Sequence, residues 1–206
     1  MSRRPDVDVV RAVALVSMYV AHVAPSSGPG NVLHLSEYLT MPLFALLIGV
    51  GAQLGLRRRI SRGPFAWWRS MLVRAAVLVA VGLALEKAGA QVMIVLVHLG
   101  VLLVVAGLLS LAPTVVVAVV GVAALVIAPA LTAHVLEHGP LLGTSSWAME
   151  LEGLLWSGYA YRVTTMIVYA ALGILLARSW LTGGRLSPGR SVRVSAWGTG
   201  ALVLAA

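Results

Sequence analysis

Asp8, Arg11 and His22 stand inside one apolar run, "DVVRAVALVSMYVAH". If the run is a helix, about 100° per residue puts His22 within about 20° of Arg11, with Leu15 and Met18 between them and Asp8 three positions before Arg11. Arg11 and His22 are then about 16 Å apart along the axis. A guanidinium can hold a phosphate through two parallel hydrogen bonds, and an imidazole can take up a proton near neutral pH. Ionisable groups inside a membrane span are expensive, and they mark a path or a reacting centre. A structural reading competes. Arg11 would snorkel to the interface and pair with Asp8, while His22 would meet a backbone carbonyl at a helix contact.

The elements that must carry these residues follow from composition. Of 206 residues, 60% are hydrophobic and 11% charged, and the mean hydropathy is +0.96, far from the balance of a water-soluble domain. A span needs about 20 mostly apolar residues. Six stretches qualify: 9–25, 38–56, 68–85, 91–111, 113–136 and 160–177. A seventh, "SAWGTGALVLAA", starts near Ser195 and reaches Ala206 at roughly half a span. The fold expected is an all-α polytopic transmembrane helix bundle of about six spans plus a truncated seventh. Residues 1–206 would form a single integral membrane domain, the N-terminal part of a longer bundle.

Net charge is +8, but the bases are not gathered on one soluble face, so nucleic acid is not an expected partner. They segregate by loop instead. Arg3, Arg4, Arg11, Arg57 to Arg62, Arg69, Arg178, Arg185, Arg190 and Arg193 fall on one side of a six-span layout, leaving Lys87 and Arg162 opposite. The N-terminus is therefore expected in the cytoplasm of a cell with an inner membrane. A cleaved signal peptide is disfavoured by Asp6, Asp8 and Arg11 in the would-be n-region and by the spans that follow. "SRRPDVD" lacks the apolar run of a twin-arginine signal. The chain has no cysteine, which excludes disulfides and thiolate metal sites.

Other residues could carry chemistry. His98 sits about 10 Å inside the fourth span, as a core histidine or a second site residue. Arg74, in the third span, is an interface base or a helper in holding a phosphate. His34, Glu37, Glu86 and Lys87 read as solvated or interfacial. "HVLEH" (His134 to His138) matches an inverted zinc-peptidase pattern. Gly139-Pro140 would end that helix at once and no third ligand is specified, so no metal is expected. "SSWAMELEGLLWSG" reads as a short amphipathic helix on the outer interface, with Trp147 and Leu151 on one face and Glu150 and Glu152 opposite. In "GVGAQLG", Gly51 and Gly55 offer a face for close helix packing. Pro129 could kink the fifth span.

The pattern Asp-x-x-Arg followed eleven positions later by His resembles the first span of the membrane acyltransferases that include sugar and peptidoglycan O-acetylases and, more distantly, heparan-α-glucosaminide N-acetyltransferase-like proteins. "MPLFALLIGVGAQL" is similar to their second span, with the interval from Pro42 to Gly49 preserved. "VLVHLGVLL" around His98 is a looser match to a segment of the N-acetyltransferase-like branch. The likeness covers about residues 6 to 110. Ile48 departs from the Ser or Ala that the family commonly has before the second-span Gly, and the family has about ten spans.

The resemblance implies transfer of an acyl group, acetyl above all, from cytoplasmic acyl-CoA to a hydroxyl or amine of an extracytoplasmic acceptor such as a glycan. His22 would be the general base for the acceptor, and Arg11 would contact the coenzyme's phosphates, oriented by Asp8. By position alone, His98 is added as a second catalytic candidate and Arg74 as a candidate for holding a phosphate. The alternative is a non-catalytic membrane subunit or small transporter. Broken spans or paired acidic residues at mid-membrane would mark a transporter, and neither is clear. Nothing in the pattern sets an oligomeric state.

Overall fold

The structure, a computed structural model, describes residues 5–23, 34–59, 64–89, 95–158 and 161–182. Seven α-helices make up almost all of these: α1 (Pro5–Val23), α2 (His34–Arg59), α3 (Pro64–Lys87), α4 (Leu96–Leu111), α5 (Thr114–His138), α6 (Ser146–Glu152) and α7 (Val163–Thr182), with a π-helical turn at Gly153–Ser157. Proline punctuates them where its missing N–H costs least. Pro5 and Pro64 open α1 and α3, and Pro113 precedes α5. Gly139 then ends α5 with φ at 91°, a conformation that glycine adopts without a Cβ penalty.

Among the described residues, four helices are long and apolar enough to cross a membrane: α2, α3, α5 and α7. The first and fourth expected spans fall short of that description for different reasons. Asp6, Asp8 and Arg11 charge the first two turns of α1. The helix of α4 starts at Leu96, leaving 16 residues, or about 24 Å. The apolar stretch from Ser195 lies outside the described residues.

The bundle is three antiparallel helix pairs, each with one helix inside. α1 packs on α2, α3 on α4 and α5 on α7, while α2, α4 and α7 all pack on one another. Burial follows this plan, with 50% of the apolar stretch of α2 buried against 17% for α3 and α5. The outer helices turn Val9, Val13, Leu72, Val77, Val119 and Val126 away from the protein. The main core lies between the inner helices and α3, built from Ala45, Ala52, Trp67, Met71, Leu102, Ala106, Met166 and Ala170.

Glycines permit the closest approach. A Cβ on Gly49 would run into the carbonyl of Ala170, and one on Gly173 into that of Leu46. The backbones of α2 and α7 thus touch, with Ala45, Ala170 and Ile174 filling the flanks at 0% exposure. The expected Gly51–Gly55 packing face is not the one used: a Cβ on Gly51 would meet nothing within 4 Å, and one on Gly55 would reach only the Trp67 indole at 3.6 Å. Gly49 and Gly51 lie about 200° apart around a helix, so only one can face α7.

Candidate functional site

Arg178 defines one end of the bundle. Its Nε donates to Gln53 Oε1 at 3.1 Å, Nη1 to Thr114 Oγ1 at 3.1 Å, and Nη2 to the carbonyls of Ser110 at 2.9 Å and Ala112 at 2.7 Å. The last turns of α2, α4 and α7 and the first of α5 therefore meet at one guanidinium. Carbonyls at a helix C-terminus lack intrahelical donors, and a cation there also suits the helix dipole. Val7 of α1 joins the same end, clustering with Val50 and Ala177 and with Trp180 packed alongside. The reading of Arg178 as a loop base beyond the sixth span is corrected: α7 continues to Thr182 and holds it. The signal was there in "LLARSW", where the arginine precedes a tryptophan that still belongs to the apolar face.

Asp8 and Arg11 lie toward this arginine end. Arg11 Nη1 donates to Asp8 Oδ1 at 3.3 Å, and the two side chains are 56% and 33% exposed respectively. Leu15, on the same face, is 53% exposed. The face that α1 buries is the neighbouring one, through Val7, Ala14 and Ser17. Ser17 Oγ donates to the Ser36 carbonyl at 3.0 Å and lies 3.2 Å from Thr40 Oγ1, tying α1 to α2. His22 belongs to α1, and its side chain falls outside the described residues. Arg74 is exposed on α3, a helix that shares no extended contact with α1. The structure thus brings together Asp8 and Arg11 but not Arg11 and Arg74.

His98 lies at the other end, in the first turn of α4. Its ring meets Tyr161 edge-on with centroids 5.9 Å apart. The Tyr161 main chain also reaches the imidazole, yet Nδ1 is buried with no hydrogen-bond partner among the described residues. A buried polar nitrogen is normally paired, and among the described residues this one is the exception. Tyr161 is not a site residue in the sequence reading, where it stands only at the start of the sixth expected span.

The connection from α5 to α7 covers this histidine end. Glu152, only 2% exposed, accepts the Leu141 N–H at 2.7 Å and the Trp156 indole N–H at 3.1 Å on Oε1. Thr132 donates to the Trp156 carbonyl at 2.7 Å and Thr164 to that of Leu155 at 2.8 Å. The amphipathic reading of α6 therefore needs correction at one residue. Trp147 and Leu151 are exposed while Glu152 points inward, since its carboxylate is what closes the Gly139–Gly143 loop. His134 and His138 stack at the end of α5 with centroids 4.5 Å apart and interplanar angle 20°. No group of three His, Cys, Asp or Glu able to hold a metal forms among the described residues.

No family model, curated protein or solved structure matches the chain.

Proposed function

We propose that the chain forms a multi-pass membrane domain of six spans that transfers an acyl group from acyl-CoA on the cytoplasmic side to a hydroxyl or amine acceptor outside. α1 and α4 join the four longer apolar helices in crossing, and the arginine end lies in the cytoplasm, as the segregation of basic residues favours. The observation that supports the reading is the buried Nδ1 of His98, without a hydrogen-bond partner among the described residues, at the end opposite the arginines. A nitrogen without a partner can accept the acceptor's proton during attack on the acyl carbonyl. His22, at the far end of α1, is the other base. Arg11, open at 56% side-chain exposure, is free to exchange its contact with Asp8 for a coenzyme phosphate. Acetyl-CoA as donor and a glycan as acceptor follow from the resemblance of the first two spans.

A non-catalytic membrane subunit is the second reading, and the same openness of Arg11 and Leu15 favours it, because that face of α1 has room for another element. Labelled acetyl-CoA separates the two. In membranes containing the full chain, His98→Ala and His22→Ala should each lose about 10²- to 10⁴-fold in transfer to envelope glycans while keeping acetyl-CoA binding. Arg11→Ala should weaken binding by about 1.5 to 3 kcal/mol, with Arg11→Lys recovering part of it. Equal binding and transfer in all variants would leave these residues structural and favour the subunit.

A further inference from the structure

α5 ends in two histidines with a glutamate between them, in a stretch of chain that favours cations. From Thr114 to Tyr161 the sequence holds Glu137, Glu150 and Glu152 but no lysine or arginine, so its own charge attracts a positive ion. Gly139 ends the helix only after His138, which keeps His134 and His138, at i and i+4, on one helix face. Their rings lie against each other, with centroids 4.5 Å apart and planes 20° from parallel. Both residues are exposed.

One hydrogen bond sets the chemistry of the pair. His138 Nδ1 lies 3.2 Å from the His134 carbonyl oxygen. A carbonyl only accepts, so this bond places the hydrogen on Nδ1 and leaves the lone pair on Nε2. Metal-ligating histidines are held in this way, with one ring nitrogen donating to a backbone carbonyl or carboxylate and the other on the ion. Glu137 Oε2 stands 4.0 Å from the same Nδ1 and adds a negative charge beside the pair. We propose that His134 and His138 bind one divalent transition-metal ion through two imidazole nitrogens, with water completing its coordination. Bonds of about 2.0 to 2.1 Å put two ligating nitrogens about 3 Å apart, so the rings must turn from stacked to converging, a turn that exposed side chains can make. Imidazole suits nickel, copper and zinc, whereas magnesium and calcium take oxygen ligands. Among the described residues no third His, Cys, Asp or Glu joins the pair, which makes this an open site, weaker than the closed sphere of a structural zinc centre. The proposal is independent of the acyl-transfer reading.

Isothermal titration calorimetry of the full chain in detergent micelles, purified without a histidine tag, tests it with Ni²⁺ alone. Wild type should bind one equivalent, and Mg²⁺ should give no signal. His134→Ala and His138→Ala should each weaken Ni²⁺ binding at least about 10-fold, since losing even an outer hydrogen-bond partner of a ligand costs about 10- to 100-fold. The exchange of Leu136→His with His138→Leu keeps the number of histidines but moves the second imidazole about 200° around the helix from His134, and it should lose binding to the same extent. Leu136 is exposed like the two histidines, so circular dichroism should be the same in every variant. No binding by wild type, or unchanged binding in the alanine variants, would overturn the proposal. Full affinity in the exchanged variant would overturn it too, because separate imidazoles rather than a chelating pair would then hold the ion.

Discussion

Gly49 and Gly173 should be the least replaceable small residues of the bundle, and alanine is the probe because it adds one methyl group and nothing else. At Gly49 the new Cβ would lie 2.8 Å from the carbonyl carbon of Ala170 and 3.0 Å from its Cα, with the carbonyl oxygen closer still. At Gly173 it would lie 3.0 Å from both the Leu46 carbonyl carbon and the Val50 nitrogen. Carbon atoms prefer a separation of about 3.5 to 4.0 Å and the carbonyl oxygen is the nearest obstacle, so the two helix axes must part by roughly 1 Å or more. Every obstacle is backbone, and none can rotate away. Overpacking of this kind costs about 1 to 3 kcal/mol. Alanine returns about 0.5 to 1 kcal/mol through its better helix propensity. Because the obstacles are backbone, the cost falls in the upper part of that range, about 2 to 3 kcal/mol, so the net expected loss is about 1 to 2.5 kcal/mol for each variant, and the double variant should lose less than the sum because one separation relieves both collisions. Gly51→Ala is the control, having nothing within 4 Å of the added atom, and it should be neutral or slightly stabilising. Denaturant unfolding of the purified protein in mixed micelles, followed by circular dichroism, measures all four. Wild-type stability in Gly49→Ala, or equal damage from Gly51→Ala, would refute the α2–α7 contact.

Arg178→Met should destabilise by about 1.5 to 3 kcal/mol in the same assay, because Gln53 and the carbonyls ending α4 lose a charged donor, and Arg178→Lys should recover only part since an ammonium cannot reach both sides. Glu152→Leu leaves the Leu141 N–H and the Trp156 indole without an acceptor, so amide exchange at residues 141–143 should accelerate, whereas Glu152→Gln keeps a carbonyl oxygen and should change it little. Single cysteines at Ser61 and Ser187 should resist an impermeant thiol reagent in intact cells while one at Ser146 reacts; labelling of Ser61 without lysis would reverse the orientation.

Much of the fold was legible because helices in an apolar chain announce themselves by length alone. α5, expected at 113–136 and found at Thr114–His138, needed no knowledge of its neighbours. Pairing was less legible. Gly51 and Gly55 satisfy the small-residue spacing as well as Gly49 does, and only the position of α7 decides between them. Polar residues misled for the same reason. Arg178 and Glu152 look like interface charges in sequence, yet one gathers the ends of three helices and the other closes a loop, roles created by partners distant along the chain. Of the candidate site, the Asp8–Arg11 pair follows directly from i, i+3 spacing. The buried Nδ1 of His98, without a partner among the described residues, does not, because its surroundings come from residues distant along the chain such as Tyr161.

The pair arrangement bears on chemistry beyond any single residue. α2, α4 and α7 run the same way through the middle of the bundle, so their C-terminal turns gather around Arg178, while the N-terminal ends of α4 and α7 meet where His98 faces Tyr161. Each helix carries roughly half a positive charge at its N-terminus and half a negative charge at its C-terminus. α1, α3 and α5 oppose this field, but from the periphery, one step further from the centre. At the arginine end the inner dipoles favour cations, which accounts for a guanidinium held among carbonyls. At the histidine end they favour negative charge near the first turn of α4. In the proposed acyl transfer, an oxyanion would develop while the histidine takes a proton, and the N-termini of α4 and α7 would stabilise that anion. Arg162, next in the chain to the Tyr161 that faces His98, donates its Nε to the Gly158 carbonyl at 2.7 Å and adds a positive side chain at the same end.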